Sequence, residues 1–109
     1  MTSIINIKKN VVSALEDIKA FNIVSIDIRK QSSIADYIII ASANSSRQAK
    51  ALAINIRDEM NKINIPLIGI EGDSGSEWVL VDLGDIVVHI MTPTIRVHYN
   101  LEELWVSDN

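Results

Sequence analysis

The chain is predicted to be α/β in class: a single domain in which helices pack on a mixed five-stranded sheet. Three observations lead there. Apolar residues recur at helical spacing in two stretches and alternate or cluster in five short, β-branched runs. The passage from residue 36 to 70 reads strand–helix–strand, the form of a right-handed crossover that joins parallel strands. Gly84 separates two further strand-like runs, which predicts an antiparallel hairpin, so both kinds of pairing belong to one sheet. With 109 residues and 48% hydrophobic content, the chain has the size of one domain, spanning 1–109, and enough apolar surface for one core without covalent staples.

Each element has a local reason. Thr2 or Ser3 is placed to cap a first helix, along which Val11, Leu15 and Ile18 share a face. Residues 24–29 alternate and predict a half-buried strand; 30–34 are polar and turn-like. Residues 36–42 are apolar on both faces at their centre, as in a strand interior to a sheet. Ser45 and Gln48 have capping-box spacing, and Ala49, Leu52, Ala53, Ile56, Met60 and Ile63 form the stripe of the helix that follows. Pro66 ends that helix and opens a third strand over 67–70. A Gly/Asp/Ser loop at 72–76 leads to a strand over 78–83, and 85–91 returns as the fifth. Pro93 opens a short terminal helix ending near Trp105.

Charge narrows the function. The formal net charge is −4. No Lys or Arg lies between Lys62 and Arg96, while Glu71, Asp73, Glu77, Asp82 and Asp85 fall in that gap. Phosphate binding needs clustered bases, so direct nucleic-acid reading is not expected. An acidic surface suits a basic protein partner through long-range attraction, although charge alone fits a merely solvated face equally well. The chain has no cysteine, which removes disulfides, thiolate metal sites and cysteine nucleophiles. Lys8 and Lys9 interrupt any signal-peptide core, and apolar runs such as 37–41 are too short to span a bilayer. A cytoplasmic protein off the membrane is expected.

Candidate chemistry is sparse. Asp82 and Asp85 flank a turn and could aim two carboxylates at one place, as in metal-dependent nucleotidyl transfer. The turn before the second helix, residues 42–46, has no glycine to wrap a phosphate, and no Lys or Arg lies near the acids in sequence. A turn-stabilising role suits them better. His89 and His98 are too few for a zinc triad, and a nucleophilic Ser46 would need a base that the sequence does not show. No metal, no cofactor and no catalysis are expected; the alternative is a degenerate nucleotide-binding enzyme centred on Asp82 and Asp85. Trp78 is the residue a bland reading explains least well. Along its strand Val79, Val81 and Leu83 share the natural core face, leaving Trp78 and Leu80 outward beside Asp82. Tryptophan ringed by charge is typical of a binding hot spot; the alternative is that helices cover both faces of the sheet and Trp78 is core.

Four segments, "DIRKQSSIADYIII", "NSSRQAKALA", "GIEGDSGSEWVLVDLGDIVVHIM" and "YNLEELW", together resemble the Iojap family of bacterial ribosomal silencing factors, from about Ile23 to Trp105. The resemblance implies a nucleotidyltransferase-like fold without the transferase's catalytic signature. It implies binding to the large ribosomal subunit through a basic protein on its intersubunit face, the fourteenth of that subunit. Occlusion of the small subunit, and repression of translation when nutrients are scarce, would follow. Trp78, Val79, Leu80 and Asp82 match the family's tryptophan-to-aspartate strand, expected to make the contact, and Gly84, Asp85 and His89 continue it. Partner binding is accordingly expected of Trp78, Val79, Leu80, Asp82 and Asp85. Asp36, Ser45, Ser46, Arg47, His89 and Tyr99 match further motif positions without an assigned role. Trp105 is expected to pack on the sheet. Ala43 departs from the glycine that many relatives carry before Ser-Ser-Arg. A homodimer through the Trp/Leu patch is compatible with this reading.

Overall fold

Ser3 starts the chain's first helix as its cap, its hydroxyl oxygen accepting the Asn6 N–H at 3.3 Å. The computed structural model describes residues 3–72 and 75–104. In order, these form α1 (Ile4–Asp17), β1 (Phe21–Asp27), β2 (Tyr37–Ser42), α2 (Ser46–Lys62), β3 (Gly69–Glu71), β4 (Trp78–Asp82), β5 (Ile86–Met91), α3 (Pro93–Tyr99) and α4 (Leu101–Leu104). The strands lie in the order β1-β2-β5-β4-β3. Only β2 and β5 pair in parallel; the other neighbours are antiparallel. The sheet is mixed and five-stranded, as expected. The crossover through α2 also joins parallel strands, but β2 and β3 are not neighbours: β5 and β4 lie between them.

One face of the sheet carries α1 and α2. Val11, Leu15, Leu52, Ile56 and Met60 from the helices meet Ile39, Val79, Val81, Val88 and Ile90 from the strands, all of them buried. Amide side chains fix the two helices to each other. Gln48 Nε2 donates to the Ile18 carbonyl at 2.9 Å and Asn55 Nδ2 to the Ala14 carbonyl at 2.8 Å. Ser45 caps α2 by accepting the Gln48 N–H. The reciprocal half of the box reaches one residue further than expected, since Gln48 Oε1 accepts from the Asn44 N–H. The predicted stripe on α2 is buried except for Ile63, which is half-buried.

The boundaries differ for local reasons. β1 begins earlier than the alternation suggests, because Asn22 at φ 51° and a register shift between Phe21 and Val24 break its pattern. β3 starts later than predicted, yet the Ile68 N–H already donates to the Asp82 carbonyl at 2.8 Å. The terminal helix is split by Asn100, whose left-handed φ of 46° ends α3. Trp105 and Asp73 lie outside the described residues. Among the described residues no helix is long and apolar enough to cross a membrane.

A smaller cluster forms on the opposite face, where Ile28, Ala35, Ile38, Ile40 and Met91 are covered by Ile95 and Leu101. Arg96 holds that cover down. It is 9% exposed, its Nη1 donating to Ser42 Oγ at 2.8 Å and to the Asn22 carbonyl. Its Nε reaches Glu102 Oε1 at 2.9 Å, and this partner holds the Glu102 carboxyl below its ordinary range. Charge-assisted hydrogen bonds of this kind contribute about 1.5–3 kcal/mol each when a partner is stranded. Arg96→Met should lower the unfolding free energy by about 2–3 kcal/mol in a urea titration. Arg29→Met, which breaks an ion pair at the surface with Asp27, should barely move the midpoint. Equal shifts from the two variants would show that the latch contributes nothing special.

Candidate functional site

Two strands joined by a tight turn determine which side chains leave the core. β4 pairs with β5 in the register Trp78↔Met91, Leu80↔His89 and Asp82↔Val87. Paired residues share a face, so Trp78, Leu80, Asp82, Val87 and His89 all lie on the side away from α1 and α2. Val79 and Val81 lie on the helical side and are fully buried. The Leu83 N–H donates to the Ile86 carbonyl at 2.9 Å and closes the hairpin. Asp82 Oδ1 accepts the Gly84 N–H at 2.8 Å, and Gly84 takes φ 90°, a conformation open to glycine. The side chain of Asp82 therefore stabilises the turn, as its position suggested.

The outer strip is half-open. Loop 28–35 and α3 cover the side over β2, where Ile40 is fully buried, but Leu80, Asp82, Val87 and His89 over β4 and β5 are only half-buried. Trp78 is neither an exposed patch residue nor core. Its ring tilts against Tyr99, centroids 4.9 Å apart, and against His89 at 5.8 Å. Its Nε1–H donates to His89 Nδ1 at 3.0 Å, giving the indole's polar end an internal partner. Burial pushes the His89 imidazole below the ordinary histidine range. Tyr99, 52% exposed, thus acquires a role as the outer wall of the Trp78 site.

The remaining candidates separate into two ends of the sheet. Asp36 and Asp85 meet at the turn end, where the N–H groups of Asp36 and Tyr37 both donate to the Asp85 carbonyl. Asp85 itself is exposed, and Glu71, opposite Leu80, adds a second exposed acid on the strip's margin. At the other end Ser45 caps α2, Ser46 opens it, and Arg47 is exposed on its first turn. These three do not converge with the hairpin strip into one site. Val79 requires a correction. Its position beneath the sheet, 0% exposed, prevents it from touching a partner, and it supports the strip from below. Among the described residues no three His, Asp or Glu side chains come together as a metal-holding group.

Sequence reasoning missed two features. Arg96 was not singled out, although an arginine after a long run without Lys or Arg, followed by Glu102, was a usable signal. Ile68, 70% exposed, lies against Gly84: its Cδ1 would sit 3.2 Å from a Cβ placed there. Nothing in the local pattern marks it as exposed.

The fold and strip define a small α/β domain with one apolar, acid-margined sheet face left half-open. Its relatives are specific. The family described as "Ribosomal silencing factor during starvation" matches residues 2–109. The ribosomal silencing factor RsfS of Chromobacterium violaceum is 42% identical over 99 residues, covering 91% of this chain and 81% of that protein. A crystal structure of a C. violaceum protein superposes with a TM-score of 0.93 at 40% identity, covering 99% of this chain and 90% of that one. A mouse protein named for mitochondrial assembly of the large ribosomal subunit is 32% identical over 97 residues, covering 86% of this chain and 42% of its own length. The chain belongs to the ribosomal silencing factor family.

The strip depends on a close backbone approach at its upstream end. Gly72 has φ 110°, and a Cβ on it would lie 2.8 Å from the Trp78 carbonyl oxygen and 3.1 Å from Val79 Cα. Gly72→Ala should cost about 2 kcal/mol or more, because strain and collision add. Gly69→Ala, with open space at its Cβ, is the control. Matching denaturation midpoints for the pair would contradict the close approach.

Proposed function

We propose that this chain docks on the large ribosomal subunit through the outer strip of the β4–β5 hairpin and keeps the small subunit from joining. The partner in this reading is a basic protein on the intersubunit face, the fourteenth of the large subunit. The chain works in the cytoplasm as a non-catalytic factor without a cofactor, and it lowers translation when nutrients are limiting. The observation that carries the reading is the strip itself. Trp78, Leu80 and Val87 present apolar surface, and Asp82, Asp85 and Glu71 surround it with no Lys or Arg from residue 63 to 95. Apolar contact supplies affinity, while the acidic margin steers a basic partner and rejects nucleic acid. Family membership and the mouse relative's name add support for a large-subunit partner.

Sedimentation with dissociated subunits, followed by magnesium to drive joining, tests the proposal. The protein should travel with the large subunit and reduce the joined peak. Trp78→Ala should keep the fold and lose about 2 kcal/mol or more of binding, roughly 30-fold. Binding equal to wild type would remove the strip from the interface. A melting temperature raised by millimolar nucleotide and Mg²⁺ would instead favour a nucleotide-binding protein centred on Asp82 and Asp85.

A further inference from the structure

One hydrogen bond on the outer strip exists in only one protonation state. Trp78 Nε1–H donates to His89 Nδ1 at 3.0 Å. An indole nitrogen carries a proton and has no lone pair to offer, so Nδ1 must be the acceptor. The imidazole is then neutral, with its single proton on Nε2. A second proton would put N–H groups on both sides of the contact. The bond would be lost, and the half-buried indole N–H would have to turn outward to find water.

We propose that His89 is the positioning residue for Trp78, and that protonation of its imidazole switches the docking strip off. This rests on the docking reading above and deepens it. With its N–H satisfied internally, the indole offers a partner apolar ring surface. It is braced by Tyr99 at 4.9 Å and by His89 at 5.8 Å. Without the bond, the same ring loses one brace and must present a polar edge. Hot-spot aromatics work by filling a pocket in one fixed pose, so a freed indole loses affinity.

The surroundings of His89 favour the neutral form. β4 places Leu80 directly opposite, with Trp78 and Asp82 as diagonal neighbours; β2 places Ile40 alongside. From α3, Tyr99 touches Trp78 and His98 meets Tyr99 edge-on at 4.9 Å. The titratable or charged groups on this side are therefore Asp82, Glu71 beyond Leu80 in the same row, Asp85 at the turn, Tyr99 and His98, beyond which Arg96 and Glu102 pair with each other. Asp82 has one carboxylate oxygen held by the Gly84 N–H. Burial lowers the imidazole's pKa below the ordinary histidine value. The sign follows. The unfolded chain takes the proton first as pH falls, so folded stability declines below about pH 6.5 and levels off below the folded pKa. The docking pose is complete above the folded pKa and lost below it.

Two measurements test this. In the free wild-type protein, nitrogen-15 spectra should show the neutral His89 ring protonated on Nε2. The Trp78 indole resonance should shift as that ring titrates. Affinity for isolated large subunits should be highest near pH 7.5 and fall by about tenfold per pH unit below the His89 pKa. His89→Asn puts a non-titrating acceptor where Nδ1 lies, so it should bind nearly as well as wild type near neutrality and show a flat profile. His89→Leu keeps the bulk without the acceptor and should bind weakly at every pH. His98 remains in all three proteins, so any slope it causes is common to them. A wild-type slope equal to that of His89→Asn would falsify the switch, as would an indole resonance indifferent to His89 titration. Wild-type protein that does not bind near pH 7.5 would overturn the docking reading itself.

Discussion

Side chains on a strand alternate faces with a period of two, so a slip of one residue between β4 and β5 would exchange the entire inner and outer sets. Val79 and Val81 would leave the core, and Trp78, Leu80 and Asp82 would be forced under α2. The register that prevents this is tied at the turn by the Asp82 carboxylate on the Gly84 N–H and by the Leu83–Ile86 hydrogen bond. It is tied again from the core side, where buried Val79, Val81, Val88 and Ile90 fit only one way round. Everything proposed for the outer strip depends on that register.

The outer face is held from its other end by α3 and α4. These are short helices that would be marginal alone, since a few turns cannot repay their own nucleation. Arg96 bonds them to β2 and to the β1 bulge, and Ile95 and Leu101 pack beneath. Tyr99 is thereby fixed against Trp78. The outer strip thus has fixed aromatic walls while Leu80 and Val87 stay half-buried, which would reduce the ordering cost of the proposed association.

Much of this was legible in the sequence because the signals are local. Alternation at Trp78 to Asp82, glycine at 84 and the Ser45/Gln48 spacing each describe a few consecutive residues, and the strand, the turn and the helix cap they describe stand at those positions. The assignment of Val79 and Val81 to the core and of Leu80 to the outside needed only the period of a strand. Other features were not legible because they join residues far apart. The Arg96 latch reaches Ser42 and Asn22, and the Trp78–Tyr99 contact links β4 to α3. Trp78 could be placed on the outer face, but its half-burial depends on an α3 whose docking no local pattern encodes. Asn22 and Asn100 adopt left-handed conformations that asparagine tolerates without requiring, so neither irregularity was predictable.

The absence of cysteine allows a direct test, because one introduced thiol is a unique chemical handle. A photo-activated cross-linker on Leu80→Cys, in the middle of the strip, should join the chain to a single basic protein of isolated large subunits. The same reagent on Ala51→Cys, exposed on α2 at the opposite side of the sheet, should not. Efficient cross-linking from position 51, or from position 80 to ribosomal RNA alone, would contradict docking through the hairpin.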